Sequence, residues 1–203
     1  TFPAYTGIPP RTNAVDDMEI NAVAGTEVAI RIVPERELNS KLILADATRP
    51  ATLAANGDAS WAFTLTDKTA GLWSIEMTDV YGFTNKPASF PIRLVKDQSP
   101  TIEIETPEKL SYTLPPFAKL PFSYVATDDF GIATPELRVS IDNAPFERLR
   151  DAVMTPVRPG VWRGDDVIDL AKIKANGAAH VRVQIAVRDN LPPDLNGPQE
   201  ALS

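Results

Sequence analysis

His180-Val181-Arg182-Val183-Gln184-Ile185-Ala186-Val187-Arg188-Asp189 alternates between apolar and polar side chains and ends on an aspartate. A period of two puts Val181, Val183, Ile185 and Val187 on one face of a β-strand, with His180, Arg182, Gln184 and Arg188 on the other. The first half of the chain carries a matching run, Gly71-Leu72-Trp73-Ser74-Ile75-Glu76-Met77-Thr78-Asp79. Counting back by two, four and six from either aspartate gives Met77, Ile75 and Trp73, or Val187, Ile185 and Val183. The same buried face, closed by the same residue, occurs twice.

Outward from these runs the pattern persists. Val28, Ile30 and Ile32 alternate, then Leu42 and Leu44, Trp61, Phe63 and Leu65, and, beyond Asp79, Phe90, Ile92 and Leu94. The second half repeats the series with Ile102 and Ile104, Leu120, Phe122 and Tyr124, Leu137, Val139 and Ile141, then Val161-Trp162. Turn signals such as Ala24-Gly25, Asn56-Gly57-Asp58, Ala70-Gly71 and Tyr81-Gly82 separate the runs. Pairing Val28 with Leu120, Trp61 with Trp162 and Asp79 with Asp189 gives intervals of 33 and 18 residues against 42 and 27, so two insertions of nine reconcile the halves. Within the second insertion Leu170 and Ile173 stand at i, i+3, the spacing of one helical turn.

Short alternating strands with turns between them predict an all-β chain: two tandem antiparallel β-sandwich domains over 1–97 and 98–203. Gly71-Leu72-Trp73 resembles the start of strand F in immunoglobulin-like (Ig-like) domains, with Trp73 where tyrosine is usual, and the chain has no cysteine for the usual pair. The second domain ends on Pro198-Gln199-Glu200-Ala201-Leu202-Ser203, where the first has Ser89 to Lys96, so its final strand is expected to be short or truncated. Phe2 to Thr12 is expected as the first edge strand, with Met18 to Val23 continuing it. Trp61, Trp73 and Trp162 are in phase with apolar neighbours and are expected in the cores.

Composition agrees and narrows function. Among 203 residues there are 19 prolines, 10 glycines and no cysteine, and 43% of residues are hydrophobic. Proline at that density breaks helices and interrupts ladders, and Pro91 and Pro121, inside predicted strands, should mark edges or bulges. A net charge of −7 argues against nucleic acid or an anionic membrane surface as partner. No apolar run approaches the roughly 20 residues of a membrane span, so no direct membrane insertion is expected. The chain starts at Thr1 rather than methionine and is read as a piece of a longer protein.

Pro3-Ala4-Tyr5-Thr6-Gly7-Ile8-Pro9-Pro10, Asp97-Gln98-Ser99-Pro100-Thr101-Ile102 and Ala126-Thr127-Asp128-Asp129-Phe130-Gly131-Ile132 together resemble the Ig-like extracytoplasmic region of an uncharacterised bacterial envelope protein family. The resemblance implies a periplasmic or extracellular location, a non-catalytic repeat, and partners among other envelope proteins or domains of the same chain.

Catalytic signatures are missing. His180 is the only histidine and falls on a polar strand face, and no Gly-x-Ser-x-Gly, phosphate-binding loop or His-Glu-x-x-His occurs. No enzyme activity and no cofactor is expected, with one exception to weigh. Asp97, Asp128, Asp129 and Asp189 come from the linker and two loops at one end of a sandwich, and several oxygen ligands of that kind suit calcium. Aspartates in turns also accept backbone N–H bonds, a role that fits Asp129-Phe130-Gly131 and Asp79-Val80-Tyr81-Gly82. The first domain has Pro34-Glu35-Arg36-Glu37 where the second has its aspartate pair, so the acidic motif does not repeat. Tyr81 and Phe83 lie in the corresponding loop of the first domain, where Ig-like domains meet partners. These features lead to a spacer and protein-interaction module, with a calcium-stiffened adhesion repeat or a carbohydrate-binding accessory domain as alternatives.

Overall fold

A computed structural model describes residues 1–14, 16–109, 111–173 and 180–203. The chain divides into two compact units, Thr1–Lys96 and Asp97–Ser203. Asp97 therefore opens the second unit instead of closing the first.

The first unit contains β1 (Ile20–Val23), β2 (Glu27–Ile32), β3 (Leu38–Ile43), β4 (Thr48–Pro50), β5 (Thr52–Leu53), β6 (Ala59–Thr64), β7 (Gly71–Asp79) and β8 (Phe90–Val95). They form two sheets, β1-β8-β7-β3-β4 and β2-β6-β5. Pairing is antiparallel except between β1 and β8, which run parallel. Side chains from both sheets, among them Leu42, Trp61, Phe63, Trp73 and Ile92, form one buried cluster. Each indole meets its polar need inside that core: Trp61 Nε1 donates to the Arg49 carbonyl and Trp73 Nε1 to the Met18 carbonyl, both at 3.1 Å.

The expected edge strand over Phe2 to Thr12 does not form. Pro3, Pro9 and Pro10 remove ladder donors, and the segment holds only a 3-10 turn at Ala4–Thr6. Thr1 and Glu27 still exchange two backbone bonds, and Phe2 packs on the core. Pro91 sits inside β8, a central strand, but the ladder with β1 begins only at Ile92, so on that side no partner is denied a donor.

The second unit contains β9 (Thr101–Thr106), β10 (Lys119–Thr127), β11 (Glu136–Ile141), β12 (Glu147–Asp151), β13 (Thr155–Arg158), β14 (Val161–Asp169), β15 (Val181–Arg188) and β16 (Glu200–Leu202). Its sheets are β13-β14-β10-β9 and β12-β11-β15-β16. First, second, fourth and fifth Ig-type strands in one layer, facing the rest, is the immunoglobulin arrangement. The first unit differs by moving its opening strand to the opposite sheet. Both units are Ig-like β-sandwiches.

Tyr124 fills the centre of the second core with no exposed surface, its hydroxyl donating to the Val153 carbonyl at 3.1 Å. The neighbouring strand makes room with Gly164, where a Cβ would run into the Tyr124 ring. The expected helical turn is present as a 3-10 turn at Leu170–Lys172, with Asp169 accepting from the Ala171 amide. The final strand is three residues long, as the proline-bounded tail suggested. Arg138 holds it down, reaching Glu136 at 2.8 Å and Glu200 at 2.7 Å. Pro121 pairs with β14, while β9 joins β10 only from Ser123, so this proline too lies at a local edge.

Trp162 departs from expectation. It pairs in register with Ala126 beside the loop end of β14, and its ring is half-buried, lining a surface groove with Ile132, Pro135 and Pro156. β14 begins at Val161, so the indole stands at the turn end of the strand and not along its middle.

Candidate functional site

Each unit ends its strand-F equivalent on a buried aspartate. Asp79, the last residue of β7, is 8% exposed. Its Oδ1 accepts from the amides of Tyr81 and Phe83, both at 2.9 Å, and its own amide donates to the Phe83 carbonyl at 3.0 Å. Gly82 takes the φ of +86° that this tight turn needs. Asn85 fastens the loop's other limb, accepting from the Met77 amide and donating to the Ile75 carbonyl. The loop is thus fixed from inside, yet Val80, Tyr81 and Phe83 are 69%, 81% and 73% exposed. The second carboxylate oxygen of Asp79 faces Arg36 of the β2–β3 loop at 3.9 Å.

Asp189, directly after β15, repeats the capping half of this arrangement. Its Oδ1 accepts from the amides of Leu191 at 3.1 Å and Gln199 at 2.9 Å. Its Oδ2 is buried and has no hydrogen-bond partner. Asp128, directly after β10, is divided in the same way. Its Oδ2 accepts from the amides of Phe130 at 3.0 Å and Gly131 at 2.5 Å, whereas its Oδ1 is buried and unpartnered. An isolated bridge between Ile132 and Asp189 ties the two loops together. Both oxygens of Asp97 are likewise buried without a partner.

Asp97, Asp128 and Asp189 each bring one carboxylate oxygen to within 4.8 Å of the others. Asp129, expected with them, does not belong to this set. It is exposed, its Oδ2 accepts from the Gln98 amide at 3.3 Å, and its carboxylate stands beside that of Asp97. The turn-capping role expected for Asp129 belongs to Asp128. Among the described residues no lysine, arginine or histidine forms an ion pair with any of the three. Burial, followed by the neighbouring Asp129 and the charges of Asp189 and Asp128, pushes the Asp97 carboxyl up to about 7. Burial also raises the Asp128 carboxyl, against the pull of the Gly131 and Phe130 amides.

The remaining sequence candidates stand away from this cluster. His180 is exposed, and its backbone amide bonds Asp142. The Trp162 groove offers a single aromatic ring, while Trp61 and Trp73 are buried.

The fold and this loop geometry define an all-β pair of Ig-like domains. No family model and no curated protein matches the chain. Among solved structures, a titin Ig tandem (domains A164-A165) is similar at 11% identity, covering 91% of this chain and 89% of that one with a TM-score of 0.30. Bovine butyrophilin is similar at 10% identity, covering 92% and 94% with a TM-score of 0.33. The titin domains Z1Z2 in complex with telethonin are similar at 12% identity, covering 91% and 90% with a TM-score of 0.35.

Proposed function

We propose that the chain is a non-catalytic spacer and protein-interaction module of a bacterial cell-envelope protein, working on the periplasmic or extracellular side. The observation that carries the interaction reading is the loop Val80-Tyr81-Gly82-Phe83. Two large aromatic side chains lie open to water while a buried carboxylate and Asn85 hold their backbone in place. Exposed apolar surface forgoes about 25 cal/mol per Å². A loop that could collapse onto its own base would recover some of this, and the cap prevents it. Fixed aromatic anchors lose little entropy on binding and are the side chains that dominate protein interfaces.

The envelope location is supported by the sequence resemblance, and the partner class, other envelope proteins or domains of the same chain, follows from it. The net charge of −7 supports a protein partner over nucleic acid. Among the described residues no helix is long and apolar enough to cross a membrane.

The test is site-specific photo-crosslinking in cells, with a benzophenone side chain at Tyr81 or Phe83 and, as control, at Leu53, which is 61% exposed on β5. Discrete adducts to an envelope protein from the loop positions, and none from Leu53, are expected. Indistinguishable patterns from all three positions would defeat the reading.

A further inference from the structure

The two repeats solve one electrostatic problem in different ways. Both bury an aspartate at the end of the seventh strand, β7 or β15, and both use Oδ1 of that aspartate to fasten the following loop. In the first unit the spare oxygen faces a cation, the Arg36 guanidinium from the loop after β2. In the second unit the corresponding loop supplies Asp128 instead, and the chain adds Asp97. Asp189 is 2% exposed and Asp128 7%, the spare oxygen of each is buried with no hydrogen-bond partner, and the three carboxylates each place an oxygen within 4.8 Å of the others. A buried ionised carboxylate without a partner costs several kcal/mol, and three that converge compound that cost. A bound cation would supply here the positive charge that arginine supplies in the first unit.

We propose that the second unit binds one divalent cation of calcium's size through Asp97, Asp128 and Asp189. Oxygen ligands at 2.3–2.6 Å from a calcium ion lie at most about 5 Å apart, which matches the 4.8 Å within which the three carboxylates each place an oxygen. Each capping oxygen of Asp128 and Asp189 stays with its amides, so turn-capping and ligation do not compete. Asp97, neither of whose oxygens accepts a hydrogen bond from a protein donor, can bind through one or both, and carbonyls and water complete a shell of six to eight. The trio's all-oxygen chemistry suits calcium over zinc or copper, and three protein carboxylates suit it over magnesium, which keeps most of its water. The cation would fasten Asp97, the first residue of the unit, to the loops after β10 and β15. This proposal is independent of the aromatic-loop reading, which rests on the first unit.

The 203-residue chain is titrated with calcium chloride by calorimetry and its thermal unfolding is followed in chelator and in calcium. One ion per chain is expected, with a dissociation constant between about 10⁻⁵ and 10⁻³ M, the range of sensors and extracellular modules. A hundred-fold excess over that constant should raise the second unit's transition by roughly 10 °C. Asp189→Asn should weaken binding at least ten-fold. Because that change touches a cap, Asp97→Asn is the decisive variant: Asp97 caps nothing, so the protein folds, becomes more stable than the parent in chelator, and loses its calcium response. No response of the parent at about 10 mM calcium, an undiminished response in Asp97→Asn, or equal binding of magnesium would overturn the proposal.

Discussion

Asp79 is a sharp place to test how the aromatic loop is held. Its side chain is 5% exposed and accepts two amides, those of Tyr81 and Phe83. A hydrogen bond to a charged acceptor contributes about 1.5–3 kcal/mol, and because this loop is open to water the lower figure applies to each. Asp79→Ala should therefore destabilise the first unit by about 3 kcal/mol. Asp79→Asn keeps an oxygen in the Oδ1 place and loses only charge, so about 1 kcal/mol is expected. The ion pair adds little to either number, since the Arg36 side chain is 72% exposed. Urea unfolding read by indole fluorescence is the assay, because Trp61 and Trp73 are both buried in the first unit. At an m-value of about 2 kcal/mol/M the alanine variant's midpoint should fall by about 1.5 M. Hydrogen exchange at the Tyr81 and Phe83 amides should accelerate in the alanine variant and stay slow in the asparagine one. Equal losses in the two variants, or a loss under about 0.5 kcal/mol in Asp79→Ala, would show that the carboxylate does not fix the loop.

Two further outcomes are expected. The Asp97 carboxyl has its ordinary value of 3.8 in the unfolded chain and about 7 in the fold, so between these values the folded state holds a proton that the unfolded state has lost. In chelator, its contribution to stability is complete below about pH 4 and is lost as pH rises to about 7, and Asp97→Asn should flatten that slope in a series of melts. Gly164→Ala presses a methyl group into the buried Tyr124 ring, which the Val153 bond keeps from retreating, and should cost about 1–3 kcal/mol by urea unfolding.

Alternation exposes those strands that have one wet and one dry face. β2 and β6 are of this kind, whereas β7, β10, β11 and β15, although small residues of the other face, Ser74, Ser123, Ser140 and Ala186, are buried as well, are readable from the apolar alternation of their side chains. β12 and β13 are not, because every residue of Glu147–Asp151 and Thr155–Arg158 is exposed and no period arises. The short β1 shows its apolar phase but not its partner, since nothing in four residues decides between a parallel and an antiparallel neighbour. At the acidic cluster, the residue types and their loops are legible, while the choice between Asp128 and Asp129 is not. Adjacent side chains point in opposite senses, and it is Asp128 that turns inward and accepts the Phe130 and Gly131 amides while Asp129 stays exposed. In sequence, Pro34-Glu35-Arg36-Glu37 in place of the aspartate pair reads as a failure of the repeat. In three dimensions Arg36 explains it, and the signal is the change of charge sign at one loop between two otherwise similar halves.

The parallel ladder of β1 and β8 has a mechanical meaning. Tension transmitted along the chain draws β1 by its N-terminal end and β8 by its C-terminal end. In parallel neighbours those pulls are opposed along a common axis, so the ladder is sheared. Its four pairs, from Ile20↔Ile92 to Val23↔Val95, share the load at once and cannot open in succession like a zip. The same four pairs that close the sheet at rest would be the clasp that keeps the first unit shut under stretch.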